Sequence, residues 1–156
     1  MIILGIDPGL AETGWGAIKK CQGGWEVLGY GNIQTAAGEQ LEQRLSKIHQ
    51  ELLSLIEKLT PDVVAIEELF FGANAKTAMK VGEARGVVVL TCGEKHIEVA
   101  EYTPLEIKVA LTGYGRAEKG QVQRMVQQFL NLDEIPKPDH ASDALACAYC
   151  HAMSAR

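Results

Sequence analysis

The sequence is poor in cysteine and in long apolar runs. Four cysteines among 156 residues are too few for a disulfide scaffold of this size and indicate reduced thiols. No stretch reaches the ~18 consecutive apolar residues of a membrane span. No basic region precedes an apolar stretch at the N-terminus, as it would in a secretory signal. We therefore expect a cytoplasmic protein with no membrane partner.

Positive charge is also scarce. The chain has 15 Lys and Arg against 20 Asp and Glu, a formal net charge of −5. This balance argues against a general affinity for nucleic acid, whose phosphates attract basic surfaces. The charge is unevenly distributed, however, because residues 76–124 carry eight basic and six acidic side chains. An acidic protein can still bind DNA where divalent cations neutralise some of its carboxylates.

The apolar fraction, 47%, is enough for one sizeable core. Because no repeat, low-complexity tract or linker divides the chain, residues 1–156 are predicted to form a single domain. The predicted strands are 2–6, 14–18, 25–30, 63–66 and 97–102. The predicted helices cover 41–59, 74–90 and 118–130, with two more beginning at Pro104 and at about His140. A three-strand meander followed by alternating strands and helices predicts an α/β fold with a mixed sheet.

Two of the predicted buried strands end in carboxylates. "ILGIDPG" ends on Asp7, and "VVAIEE" ends on Glu67 and Glu68. Each could be an ordinary acid at a strand end that caps a turn or pairs with a lysine. Strand ends in α/β sheets are also where ligands collect, and neighbouring strands would place Asp7 and Glu67 at one edge. A buried carboxylate needs a partner such as a base, a helix terminus or a metal.

The last predicted helix, "PDHASDALACAYCH", has three polar candidates in its first turns. Asp139 follows Pro138 and is predicted to be the N-cap. His140 and Asp143 are three residues apart and share one helical face. Asp143 lies where the helix turns apolar, so we expect it to face the sheet and to need a partner there.

Asp7, Glu67, His140 and Asp143 would together supply hard oxygen ligands and one imidazole. Such a set suits Mg²⁺ or Mn²⁺ better than structural zinc. Two such ions can activate a water and stabilise the leaving oxygen in phosphodiester hydrolysis. A zinc site that combines His140 with "CAYCH" is the alternative. Because those cysteines continue an alanine-rich helix without the turn of a zinc knuckle, we predict that they are small core residues.

Several stretches in this order resemble the RuvC family of bacterial crossover junction endodeoxyribonucleases, in the ribonuclease-H-like superfamily. They are "ILGIDPG" with "TGWG", "AIEELFF", "KVGEARGV", "TGYGRAEKGQVQ" and "DHASDALA", and they extend from residue 2 to about 150. The resemblance implies a ribonuclease-H-like fold with a mixed five-stranded sheet flanked by helices. It also implies a homodimer that uses two Mg²⁺ ions per active site, with Mn²⁺ expected to substitute. The implied substrate is a four-way (Holliday) DNA junction.

The resemblance implies catalytic and metal-binding roles for four residues. Asp7 matches the first-strand aspartate, Glu67 the strand-four glutamate and Asp143 the final-helix aspartate of the family. His140 occupies a position where other members have aspartate and some have histidine, so it could bind metal or act as a base or phosphate contact. Glu68 should point to the opposite face of its strand and is taken as non-catalytic.

Four further residues match DNA-contacting positions of the family. Lys108 and Lys119 match its DNA-contacting lysines, although without that match each would be interpreted as a solvated helix residue. Phe70 and Phe71 match aromatics that stack on or wedge between bases at the junction. Core packing is the alternative for one of the two.

The implied reaction is in-line attack of water on the scissile phosphate, with paired symmetric nicks that leave 5′-phosphate and 3′-hydroxyl ends. The implied setting is homologous recombination and repair, together with the RuvAB branch-migration complex. The alternatives are a non-catalytic junction-binding module and a YqgF-like nuclease acting on RNA. An ATP-dependent phosphotransferase with a similar phosphate loop would need two such domains.

Overall fold

A computed structural model of the chain describes residues 1–68 and 74–154. The strands there are β1 (Ile2–Asp7), β2 (Glu12–Cys21), β3 (Gly24–Gln34), β4 (Val63–Glu67) and β5 (Glu98–Tyr102). The helices are α1 (Leu41–Leu59), α2 (Ala75–Glu94), α3 (Pro104–Thr112), α4 (Lys119–Phe129) and α5 (Asp139–Ser154). Among these described residues, no helix has both the length and the apolar character needed to cross a membrane.

The five strands form one mixed sheet in the order β3-β2-β1-β4-β5. β1, β2 and β3 pair antiparallel as a meander, whereas β1, β4 and β5 pair parallel. The predicted architecture is therefore confirmed. β2 and β3 are longer than predicted, because their backbone pairing continues past both ends of the apolar stretch. At one end the exposed residues Lys19–Cys21 pair with residues 24–26, and at the other Glu12 and Thr13 pair with Gln34 and Ile33.

Helices cover both faces of the sheet. Leu4 and Ile6 pack against α1 and α2 on one face, and Ile3 packs against α3, α4 and α5 on the other. This explains the unbroken apolar run of β1, since a strand buried on both faces needs no polar alternation. Because strand side chains alternate, Asp7 shares the face of Ile3 and points to the side of α5.

Helix α5 lies directly on β1 and β2 because glycines face it there. A Cβ atom added at Gly5 would be 1.9 Å from the carbonyl oxygen of Ala144, and one added at Gly14 would be 2.0 Å from that of His140. The helix contributes mainly small side chains to this contact, and Ala141, Ala144 and Ala148 are fully buried. This close approach places the first turn of α5 over the end of β1.

The small residues Ala75 and Gly86 on α2 make little contact with the rest of the described chain. Ala78 is buried, but Ala75 and Gly86 are exposed, and nothing lies within 4 Å of the Cβ position of Gly86. The helix instead packs through Ala84 and Val88.

Candidate active site

Asp7 and Glu67 lie side by side at one edge of the sheet. They are the last residues of β1 and β4, and these strands pair in parallel with Ile6 opposite Ile66. Both carboxylates therefore follow an apolar core strand, and only 17% of the Asp7 side chain is exposed. The expectation that the two acids meet at one edge is confirmed. The N-terminus of α5 lies above them.

His140 and Asp143 reach this edge from the first turns of α5. His140 Nδ1 lies 2.8 Å from Asp7 Oδ2. One ligand atom each from Asp7, His140 and Asp143 can be chosen so that all three lie within 4.8 Å of one another. The three-residue spacing thus brings both helix residues to one face, and the prediction that Asp143 faces the sheet is confirmed.

Glu12 also reaches the site, although the sequence analysis did not select it. Its Oε2 lies 3.5 Å from Nε2 of His140, and its Oε1 accepts a hydrogen bond of 3.1 Å from Nε2 of Gln34. Gly14 faces α5, so the period of two in a strand brings Glu12 to the same face. The alternation of side chains along β2 could have identified Glu12 from the sequence, but only if the face of β2 that meets α5 had been known.

Lys119, at the start of α4, connects two acids of α5. Its Nζ lies 3.1 Å from Asp143 Oδ2 and 3.4 Å from Asp139 Oδ2, and Gln123 donates to Asp139 Oδ1 at 3.2 Å.

The predicted N-cap role of Asp139 is wrong. α5 begins at Asp139 itself, because the carbonyl of Pro138 already accepts hydrogen bonds from the N–H groups of the helix, and the Asp139 carboxylate turns toward α4.

A cavity of about 280 Å³ adjoins the acids, between α3, α4 and α5. Its polar lining is formed by Glu67, Lys108, Lys119 and Asp143. Its apolar lining is formed by Pro104, Ile107, Val122 and Ala146. The structure therefore brings both predicted DNA-contacting lysines beside the predicted catalytic acids. Phe70 and Phe71 lie outside the described residues.

The carboxylates of the site carry more negative charge than the nearby basic side chains neutralise. Burial, together with the charges of Asp7 and Asp143, raises the pKa of Glu67 to about 7. Burial also raises the pKa of Asp143, although the hydrogen bond from Lys119 opposes this shift. The hydrogen bond to Asp7 raises the pKa of His140. A bound cation would stabilise the ionised form of these carboxylates, which burial and mutual repulsion otherwise disfavour.

This donor set fits a divalent cation that prefers oxygen ligands. Asp7, His140 and Asp143 form the one potential metal cluster in the part of the chain that the structure describes, and Glu67 lies next to them.

The zinc alternative is wrong, since His140 faces Asp7 instead of the cysteines. Cys147 and Cys150 are buried in the core as predicted, and His151 Nδ1 is hydrogen-bonded to the Tyr102 hydroxyl at 2.8 Å.

A mixed sheet of this order, with acids at the ends of β1 and β4 facing an acid on α5, defines a metal-dependent nuclease of the ribonuclease-H-like class. The sequence comparison is more specific. Residues 3–151 match the family described as crossover junction endodeoxyribonuclease RuvC. A RuvC of Caldicellulosiruptor saccharolyticus is 52% identical over 99% of this chain and 93% of its own length. The chain belongs to the RuvC family.

Solved structures agree with this assignment. The structure of T. thermophilus RuvC in complex with a Holliday junction substrate matches all of this chain and 95% of its own, with a TM-score of 0.95 and 37% identity. The yeast mitochondrial Holliday junction resolvase Ydc2 matches 97% of this chain and 78% of its own, with a TM-score of 0.69 and 13% identity. The second likeness is one of fold alone.

Proposed function

We propose that this chain is an endonuclease that resolves four-way DNA junctions by paired symmetric nicks in homologous recombination and repair. The observation that carries the proposal is the meeting of Asp7, Glu67, His140 and Asp143 at one sheet edge in a member of the RuvC family. The T. thermophilus relative in complex with a Holliday junction substrate supports the choice of DNA. The family match over residues 3–151 supports one nuclease domain for the whole chain.

The proposed cofactor is Mg²⁺, two ions per active site, with Mn²⁺ able to substitute. Asp7, Glu67, His140 and Asp143 would hold these ions, because crowded carboxylates suit hard cations. Bound ions would supply the charge that lowers the pKa of an attacking water and that stabilises the leaving 3′ oxygen. The products are therefore expected to carry 5′-phosphate and 3′-hydroxyl ends.

The remaining residues are proposed to place the DNA. Lys108 and Lys119 line the cavity beside Glu67 and Asp143, where an ammonium group can attract a phosphate of the cleaved strand. Lys119 already contacts Asp143 at 3.1 Å, so its positive charge lies at the edge of the acidic cluster. We further propose, from the resemblance alone, that Phe70 and Phe71 stack on bases at the junction.

We propose that the chain acts as a homodimer. Paired cuts in strands of like polarity require two identical sites related by a two-fold axis. Helix α2 offers a surface for such a contact, because Leu90 and Met79 are exposed and the Cβ position of Gly86 is open. Cooperation with the RuvAB complex and a cytoplasmic location are proposed from the resemblance.

Cleavage of synthetic substrates tests the proposal. A four-way DNA junction, a linear DNA duplex of the same sequence and an RNA duplex would be incubated with the protein in Mg²⁺ or in EDTA. We expect paired nicks in the junction alone and in Mg²⁺ alone. Junction binding without nicks in Mg²⁺ or Mn²⁺ would favour a non-catalytic binding module. Preferential cleavage of RNA would favour the YqgF-like alternative.

A further inference from the structure

The imidazole of His140 lies between two carboxylates that come from different strands. Nδ1 is 2.8 Å from Oδ2 of Asp7 on β1, and Nε2 is 3.5 Å from Oε2 of Glu12 on β2. An ionised carboxylate can only accept, so a ring nitrogen that carries a proton donates it to the acid that it faces. Each ring nitrogen thus faces a different acid, and the two acids differ in their relation to the metal cluster.

Nδ1 is the ring nitrogen that lies within hydrogen-bonding distance of Asp7, a member of that cluster. Asp7 and Asp143 are the other members, whereas Glu12 lies on the opposite side of the ring. A histidine must present an unprotonated nitrogen to bind a cation, so binding through Nδ1 requires the tautomer in which that nitrogen carries no proton. A neutral ring then keeps its remaining proton on Nε2, which is the nitrogen that faces Glu12.

We infer that Glu12 is a positioning residue that accepts the Nε2–H group of His140 and thereby holds the ring with Nδ1 turned toward the metal ions. This inference rests on the proposed function, because it concerns the same metal site. Histidine ligands of metals almost always donate their other ring N–H to a carboxylate, a backbone carbonyl or a water. Glu12 Oε2, at an ion-pair distance of 3.5 Å from Nε2, is the carboxylate oxygen that can accept this hydrogen bond after a small approach.

The surroundings of Glu12 suit this role. Its second oxygen, Oε1, accepts a hydrogen bond of 3.1 Å from Nε2 of Gln34, and the two residues are paired across β2 and β3. That bond orients the carboxylate. Gly14 positions His140 itself, because its missing Cβ leaves room for the backbone and Cβ of His140. The sheet therefore positions both partners.

Magnesium binding and the tautomer of His140 test the inference. Mg²⁺ affinity would be measured by calorimetry for the wild type, Glu12→Ala, Glu12→Gln and the control Glu26→Ala, an exposed acid on β3. Loss of such an outer partner typically costs 10–100-fold in metal affinity, and we expect about 10-fold for Glu12→Ala. Glu12→Gln keeps an acceptor oxygen and should lose much less, while Glu26→Ala should bind normally.

Nitrogen NMR of the Mg²⁺-saturated protein shows which ring nitrogen of His140 carries the proton. If Glu12 acted only through its nearby charge, its removal would not change this tautomer. The His140 signals would be assigned by their loss in His140→Gln. We expect Nε2 to be protonated and Nδ1 to be unprotonated in the wild type and in Glu12→Gln, and a mixture of tautomers in Glu12→Ala. A proton on Nδ1 in the loaded wild type would overturn the inference. So would an unchanged tautomer or unchanged affinity in Glu12→Ala, or an equal affinity loss in Glu12→Gln.

Junction cleavage by the wild type, measured in the same Mg²⁺ buffer, separates this inference from the proposed function. Cleavage with an unchanged tautomer in Glu12→Ala would leave the nuclease proposal intact and remove the role of Glu12. Absence of cleavage would contradict the nuclease proposal, while the tautomer and the affinity would still report on the contact between Glu12 and His140.

Discussion

Gly14 of β2 lies directly beneath His140 of α5, so that a Cβ on residue 14 would be 2.0 Å from the carbonyl oxygen of His140 and 2.8 Å from its Cβ. Both nearby atoms belong to or adjoin the helix backbone, which cannot move aside as a flexible side chain can. The glycine therefore sets the distance between the sheet and the first turn of α5. Because His140 and Asp143 are in these first turns, the same contact sets their distance from Asp7.

Substitution Gly14→Ala is expected to destabilise the fold and to separate His140 from Asp7. Overpacking of this kind typically lowers the free energy of unfolding by about 1–3 kcal/mol. Urea denaturation checks the stability. Gly38→Ala is the matched control, since nothing lies within 4 Å of the Cβ position of Gly38. Equal stability of the two variants would show that α5 does not depend on this glycine.

The stability of the metal-free protein should fall as the pH rises. The pKa of Glu67 is raised from 4.5 to about 7 in the folded chain, so its ionised form is disfavoured by folding. The stabilising protonated state is fully present below the unfolded pKa and is lost as the pH passes through about 7. In EDTA we expect the free energy of unfolding to be about 1–3 kcal/mol lower at pH 8 than at pH 5 from this residue.

Two comparisons check that assignment. Glu67→Gln should weaken the pH dependence, since the amide does not ionise, and Mg²⁺ should restore stability at pH 8 in the wild type. Asp143 and His140 also have raised pKa values and act in the same direction, so a part of the dependence should remain. A pH profile that is identical in wild type and Glu67→Gln would contradict the account.

Removal of Lys119 should weaken junction binding and its dependence on salt. Each phosphate contact that is lost reduces the slope of log affinity against log salt by about 1. Binding of Lys119→Met would be measured at several salt concentrations in an Asp7→Asn background, so that no strand is cut. Lys20→Met, at the exposed end of β2, is the control. The same slope in both variants would place Lys119 away from the DNA backbone.

A charge on α2 should disrupt the proposed dimer. Leu90 is 59% exposed on this helix, and Leu90→Glu would place a carboxylate in a surface that is apolar in the wild type. We expect sedimentation to show a shift from dimer to monomer and the junction nicks to become unpaired. Leu28→Glu, an exposed leucine of β3, is the control. A dimer that is unaffected by Leu90→Glu would exclude this part of α2 from the interface.

The acids of the site could be predicted because their positions follow from local pattern. Asp7 and Glu67 each end an apolar strand, and the carboxyl ends of parallel neighbours meet at one edge. His140 and Asp143 follow from helical spacing. The sequence resemblance then assigned roles that spacing alone cannot assign, and it also predicted the mixed five-stranded sheet.

The contacts between elements could not be predicted in this way. Glu12 reaches His140 only because β2 turns one particular face toward α5, which depends on the register of β1 with β2. Lys119 pairs with Asp143 because α4 packs beside α5, and no local pattern records that packing. Asp139 was predicted to be a cap, but the helix begins at that residue, so its carboxylate is free to bind Lys119 and Gln123.

Strand-specific nicking of a labelled four-way junction by the wild type and by Asp7→Asn, in Mg²⁺, tests the central claim most directly. The claim is that the cluster around Asp7 holds the ions that cut the junction. The account predicts paired cuts at symmetric positions by the wild type. Even loss of an outer partner of a metal ligand costs ~10–100-fold, so Asp7→Asn, which removes a charged ligand itself, should lose ~100-fold or more while still binding the junction. Cleavage by Asp7→Asn at the wild-type rate would contradict it.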